Sequence, residues 1–326
     1  MTSLTQRTLS TVALAAFLTA SGAAAAELSK PESLALEANK RSPAAVSPAA
    51  RSSELEINVR TSRNSSVFYE SESNNQPSSA NLIPAGALIA VGSISPSGDV
   101  DYFAVSVPSG SRGFLSIDGT DGTLANGDST LELRAADGLT VLESDDDSGP
   151  INLSSGIAGV RLTAGGQYYL RVAALGSSLD PYLLLLSFEP DSPVGEAEPN
   201  DSSSGANVLD GLIAGALGAG DSDWFAFPAL VGDLVLLALD PDPQRIGSSL
   251  DAMLEIYDPT GNLLRAQDLN GRGEPEFINL ALAPADGIYR ARLSSADGSS
   301  GSYLVSIRAH RFQVPVELLD FLATPG

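Results

Sequence analysis

Cysteine is absent from this 326-residue chain. That excludes disulfides, thiolate metal sites, cysteine nucleophiles and a lipid anchor on an N-terminal cysteine. His310 is the only histidine, so multi-histidine zinc sites are excluded as well. Lysine is limited to Lys30 and Lys40. Long apolar runs are also lacking. Beyond the first residues the longest, such as Leu183–Leu186 and Leu234–Leu239, fall far short of the ~20 residues that cross a bilayer as a helix. Helix-period patterns longer than a few turns are absent, which leaves strands as the main building material.

Acids are plentiful. The chain holds 40 Asp and Glu against 18 Lys and Arg, a net charge of −22. Residues 66–326 carry 35 acids and 11 arginines, and residues 27–65 carry five acids and six basic residues. Nucleic acid is excluded as a partner, because phosphate contacts need clustered Lys and Arg. A diffuse acidic surface is by itself a solubility feature. Residues 1–26 read as a signal peptide: Arg7, the apolar stretch Val12 to Leu18, and Ala24-Ala25-Ala26 before Glu27. Residues 27–65 mix Ser, Ala, Pro and both charges without an apolar period, as a disordered linker does. These features predict a secreted or periplasmic protein without a membrane span.

The rest of the chain is written twice. Glu70-Ser-Glu72-Ser-Asn74-Asn75 and Asp99-Val-Asp101-Tyr102-Phe103 return as Glu196-Ala-Glu198-Pro-Asn200-Asp201 and Asp221-Ser-Asp223-Trp224-Phe225. Leu131-Glu132-Leu133 returns as Leu254-Glu255-Ile256, Gly138 as Gly261, Asp145 as Asp268, and Tyr182-Leu183 as Tyr303-Leu304. An order-preserving match of this length is a tandem duplication. Short apolar, β-branched runs alternate with Gly, Asp, Asn, Ser and Pro clusters in both copies. The expected strands are Tyr102–Val107, Phe114–Ile117, Thr130–Arg134, Gly159–Leu162, Gln167–Ala173 and Tyr182–Phe188. Their partners are Trp224–Phe227, Leu234–Leu239, Met253–Tyr257, Phe277–Leu282, Ile288–Leu293 and Tyr303–Ile307. The fold class is therefore all-β: two β-sandwiches in series, 66–190 and 191–310, each with about eight strands and able to fold alone. A short joint, Asp191–Gly195, links them, and a C-terminal tail follows at 311–326.

Chemistry concentrates in the repeated acidic segments. In extended backbone Glu196, Glu198 and Asn200 project to one side, two residues apart. Calcium takes six to eight oxygens, and Asp221 or Asp223 from a neighbouring strand can add to that set. The alternative is that these acids solvate a domain joint. The Asp118–Asp128 loop and the Asp145–Asp147 run read as solvated turns. Asp147-Ser148-Gly149-Pro150 lacks the glycines of a serine-nucleophile loop and has no histidine ahead of it, so no enzyme is expected. By alternation Tyr102 and Trp224 lie on the face opposite Phe103 and Phe225. One set is core, and the other is a candidate ligand contact.

Taken in order, these residues resemble the bacterial pre-peptidase C-terminal domain, which is related to collagenase collagen-binding domains. The resemblance covers Ser66–Pro190 and Asp191–His310. It implies a jelly-roll-like sandwich and, in the collagenase branch, calcium held by the acidic segment and the Asp-x-Asp strand. Carried over by position, the ligand candidates are Glu196, Glu198, Asn200, Asp201, Asp221 and Asp223 in the second copy. In the first they are Glu70, Glu72, Asn74, Asn75, Asp99 and Asp101. Asn75 stands where the second copy has Asp201, which predicts a weaker first site. The expected function is a secreted, non-catalytic calcium-binding protein whose cation stiffens the joint, with an extracellular polymer or protein as partner. The competing expectations are a ligand-free structural spacer of an envelope or matrix and, remotely, a hydrolase built on surface carboxylates.

Overall fold

The computed structural model describes residues 67–119, 127–176, 178–209, 211–280 and 283–311. The expected signal peptide, the linker and all but the first residue of the expected tail lie outside these residues.

The first ten strands are β1 (Val67–Tyr69), β2 (Asn81–Leu82), β3 (Ile89–Ile94), β4 (Val100–Val107) and β5 (Ser111–Gly119), then β6 (Ser129–Arg134), β7 (Val141–Asp145), β8 (Gly156–Leu162), β9 (Gly166–Ala174) and β10 (Leu179–Pro190). They form two five-stranded sheets, ordered β1-β3-β10-β5-β8 and β2-β4-β9-β6-β7. The next ten are β11 (Val194–Gly195), β12 (Asn207–Val208), β13 (Gly211–Leu217), β14 (Ser222–Ala229) and β15 (Asp233–Asp240), then β16 (Ala252–Tyr257), β17 (Leu263–Gln267), β18 (Glu276–Leu280), β19 (Gly287–Ser295) and β20 (Gly301–Arg311). Their sheets, β11-β13-β20-β15-β18 and β12-β14-β19-β16-β17, repeat the same order. The chain is thus two all-β sandwiches, and among the described residues no helix is long and apolar enough to cross a membrane.

Every expected strand falls at least largely within an observed one. The additional strands are short edge pieces, together with β3 (Ile-Ala-Val-Gly-Ser-Ile) and β13 (Gly-Leu-Ile-Ala-Gly-Ala-Leu). Their Gly and Ala content weakens the strand signal that β-branched and aromatic residues give elsewhere.

Side-chain alternation builds each core. On β14 exposure strictly alternates, with Asp223, Phe225, Phe227 and Ala229 turned inward. Phe225 and its counterpart Phe103 are both fully buried. Each contributes roughly 1.5–3 kcal/mol from removal of its ring from water. Phe103, Leu131, Leu170 and Tyr182 belong to the first core, and Phe225, Leu254, Leu293 and Tyr303 to the second. The predicted turns reverse at Gly138 (φ 70°) and Gly261 (φ 90°), conformations that favour glycine. Asp137 and Asp258 hold these turns by accepting the backbone N–H groups of Thr140 and Thr260.

The two sandwiches do not hang from a loose joint. Leu234 and Leu236 of β15 pack with Ile89, Val91, Leu183 and Leu185 of the first sandwich, while Phe114 and Ala158 pack with Leu212, Leu304 and Phe277 of the second. A void of about 20 Å³ is lined by Phe114, Leu185, Leu236 and Phe277 along this seam. At the joint, Arg112 and Arg161 both pair with Asp191, at 2.8 and 2.5 Å.

Candidate metal centres

In each sandwich the acidic segment is a crossover. It leaves the first strand of one sheet and reaches the short edge strand of the other, from β1 to β2 and from β11 to β12. Asn81 pins the first crossover by accepting from Ser71 N–H (2.6 Å) and donating to Ser71 C=O (3.0 Å). Asn207 does the same to Ala197, at 2.7 and 2.9 Å. Beneath each crossover lies the first inward-facing residue of the neighbouring strand. It is an aspartate, Asp101 or Asp223, and both are fully buried. A carboxylate at a core-facing position conflicts with the strand's own pattern, and such conflicts mark functional positions.

The crossovers bring carboxylates onto these aspartates. Glu70, Glu72 and Asp101 each offer an oxygen within 4.8 Å of the others, as do Glu196, Glu198 and Asp223. Tyr182 donates to Asp101 Oδ2 at 2.6 Å. Tyr303 Oη lies 2.6 Å from Asp223 Oδ2 and 2.7 Å from Glu196 Oε2, so its single proton can serve only one of them. Burial pushes Glu70 up to about 10, reinforced by hydrogen bonding and repulsion from Asp101. Asp223 rises to about 8, chiefly through burial and with repulsion from Glu196 adding to it, although the bond from Tyr303 pulls the other way. Burial also raises Asp101 and Glu72.

A hard divalent cation fits this donor set. Asn74 is fully buried against Asp101, and its side chain, like that of Glu70, hydrogen-bonds to the Asp101 carboxyl and moderates the rise that burial causes. One end of the Asn200 amide lies 3.2 Å from Glu198 Oε2 and 2.9 Å from Asp223 Oδ1. As nitrogen that end bridges the two carboxylates, and as oxygen it is a further ligand for a cation between them. Three carboxylates and an amide oxygen are the all-oxygen donor type that hard divalent cations take.

The remaining predicted ligands are not gathered into these sets. Asn75 donates to Asp99 at 2.8 Å, and Asp99 also accepts Ser95 and Val100 N–H, beside Glu72 at the rim. Asp221 accepts Gly218 and Ser222 N–H in a turn, and the exposed Asp201 is raised by its hydrogen bond with Asp221. The Asn75/Asp201 difference therefore belongs to the rim, and the expected reason for a weaker first site falls away. Nor does the second centre lie in the joint. Both centres join the two sheets of a single sandwich, and arginines hold the joint. Tyr182, Tyr303, Gly92 and Gly215 were missed as parts of the site. A Cβ on Gly92 would fall 2.4 Å from Tyr182 Oη and 2.8 Å from Glu70 Oε2. On Gly215 it would meet Tyr303 Oη at 2.4 Å and Glu196 Oε2 at 2.6 Å. Their recurrence at equivalent positions of the two copies was the available signal.

Other candidates resolve into structure. Tyr102 lies on the outer sheet face, mostly covered, with the Arg134 guanidinium 5.8 Å from its ring centroid. Trp224 is half-buried against Tyr257, 5.1 Å between centroids. Ser148 Oγ donates to Glu274 at 3.3 Å. Burial and the nearby Arg308 lower His310 to about 4, and neither of its ring nitrogens has a partner. Among the described residues no hydrogen bond joins Ser148 to His310. A cleft of about 390 Å³ near the joint contains Arg112, Arg161 and Arg245, but each of these is already ion-paired, with Asp191, Asp191 and Asp240.

Fold and site together define a tandem β-sandwich protein with one acidic centre under each crossover. Residues 99–174 match the family model of the bacterial pre-peptidase C-terminal domain. The matched residues lie in the first sandwich, and the second repeats its strand order and has an equivalent acidic centre. No curated protein matches the chain. Among solved structures, the pre-peptidase C-terminal domain of a Bacillus anthracis collagenase aligns at 16% identity, covering 35% of this chain and 100% of its own, with a TM-score of 0.26. A periplasmic inhibitor of g-type lysozyme from Aeromonas hydrophila aligns at 15% identity, covering 38% of this chain and 100% of its own, with a TM-score of 0.25.

Proposed function

We propose that this protein is a secreted, non-catalytic module that binds one calcium ion in each sandwich and docks to an extracellular polymer or protein. The observation that carries the reading is the pair of carboxylate triads, each with an asparagine side chain buried beside it. Glu70, Glu72, Asp101 and Asn74 hold the first ion; Glu196, Glu198, Asp223 and Asn200 hold the second. The ion supplies charge neutralisation. The protein's residues supply position: two ligands on the crossover and one on the strand beneath tie the open edge of the sandwich shut. The rigid sandwich then presents its surface to the partner.

The test is thermal unfolding of the full chain in millimolar calcium and in chelator. An ion that binds only the folded state stabilises it by about 2.7 kcal/mol per site at 100-fold excess over its Kd. Melting should rise in calcium, with magnesium a poor substitute because it demands tighter octahedral geometry. Identical melting in calcium and chelator contradicts the reading and leaves the ligand-free structural spacer in its place.

A further inference from the structure

The seam between the sandwiches is built like a homodimer interface. Strand registers fix the equivalences: Leu183 faces Asp118 and Val91 as Leu304 faces Asp240 and Ala214. By the same registers Phe114 corresponds to Leu236, because they face Ser187 and Arg308. Leu236 packs with Val91 and Leu183, while Phe114 packs with their counterparts Ala214 and Leu304. When residue i meets j and the counterpart of j meets the counterpart of i, the interface is isologous and has a two-fold axis. The surroundings of Asn279 repeat the exchange in position, though not in polarity. Asn279 donates to Ser116 and Asp118, both at 3.2 Å. Its counterpart Ala158 shares a cluster with Ala238, and a Cβ on the adjacent Gly159 would meet Asp240.

On such an axis a residue meets its own counterpart. Gly156 and Phe277 are that pair, facing Ser116 and Ala238 in the two sheets. A Cβ on Gly156 would fall 2.4 Å from Phe277 Cε2. The axis position is therefore a hole in one copy and a knob in the other. Two second sandwiches would set Phe277 against Phe277, and two first sandwiches would leave a gap. The pair Arg308–Glu189 likewise joins unlike halves. We propose that the two sandwiches are specific heterotypic partners, a fused dimer whose axis contact has diverged, and that the joint tethers them but does not make the contact.

The experiment places a protease site between Ser192 and Pro193, both exposed, and follows the cut protein by light scattering. Cleavage removes the tether, and with it an effective concentration of order millimolar. The halves should nevertheless remain a 1:1 pair at micromolar protein. Phe277→Ala should weaken the cut pair at least ~10-fold, since a buried aromatic at an interface centre carries much of the binding. After exchange between tagged and untagged cut protein, a tagged second half should retain first halves and not untagged second halves. Separation on cutting, or equal capture of second halves, overturns the proposal. If cut halves precipitate, Ser116→Cys with Asn279→Cys in the otherwise cysteine-free uncut chain decides it. An intramolecular disulfide in monomeric protein is expected; failure to form one overturns the seam itself.

Discussion

The two acidic centres differ in ways that separate ligand from scaffold. In the first, Tyr182 donates to Asp101, and the rim carries an amide–carboxylate bond, Asn75 to Asp99. In the second, Tyr303 lies between Asp223 and Glu196, and the rim carries two acids, Asp201 and Asp221. What stays constant is the triad, the buried asparagine, the tyrosine hydroxyl and the glycine that makes room for it. The variable position sits outside the set of oxygens that a cation would touch. Conservation between copies thus identifies the centre better than the local density of acids does.

The largest effects should come from the cores that support both centres. Phe103→Ala and Phe225→Ala should each cost about 3–5 kcal/mol. Because the seam buries a sheet face of each sandwich, either variant should still melt in one calorimetric transition; two well-separated transitions would break the coupling. Gly92→Ala and Gly215→Ala come next. The added methyl drives the tyrosine off its aspartate, at about 1–3 kcal/mol, and each variant should lose the calcium response of its own copy alone.

A third comparison uses pH. Glu70 and Asp223 have folded-state values of about 10 and about 8, above the ordinary carboxylate range. The folded chain without metal therefore holds protons that the unfolded chain has released. Their stabilising contribution is full below about pH 4 and is lost as pH climbs through about 8 and then about 10. Calcium binds the ionised form, so its stabilising effect must grow as that contribution fades. The melting shift on adding calcium should be larger at pH 8 than at pH 5; an equal or smaller shift would contradict the assignment of these carboxylates. The smallest effect is expected for Asn75→Asp, which copies the second rim into the first: under ~1 kcal/mol and no loss of calcium binding.

Much of this was legible in the sequence because the duplication doubled every weak signal. Glu-x-Glu-x-Asn and Asp-x-Asp-aromatic-Phe marked the crossover and the strand beneath it that bring the candidate carboxylates together. What the pattern did not reveal was which aspartate turns inward, since that depends on strand phase: Asp101 and Asp223 point in with the phenylalanines, whereas Asp99 and Asp221 cap turns. The roles of Tyr182 and Tyr303 were hidden because a core tyrosine and a site tyrosine look alike until the partner of the hydroxyl is known. The seam left a mark that went unread. Leu183–Leu186 and Leu234–Leu239 are apolar at consecutive positions, as strands covered on both faces are. Leu184 belongs to the first core, while Leu183 and Leu185 belong to the seam.

The most direct test of equal centres is calcium titration calorimetry of the full chain, alone and with Asp101→Asn or Asp223→Asn. Two ions per chain are predicted, falling to one in either variant and to none when both are combined. A single ion that survives Asp101→Asn unchanged, or no calcium-specific heat at all, would contradict the claim that each sandwich carries its own centre.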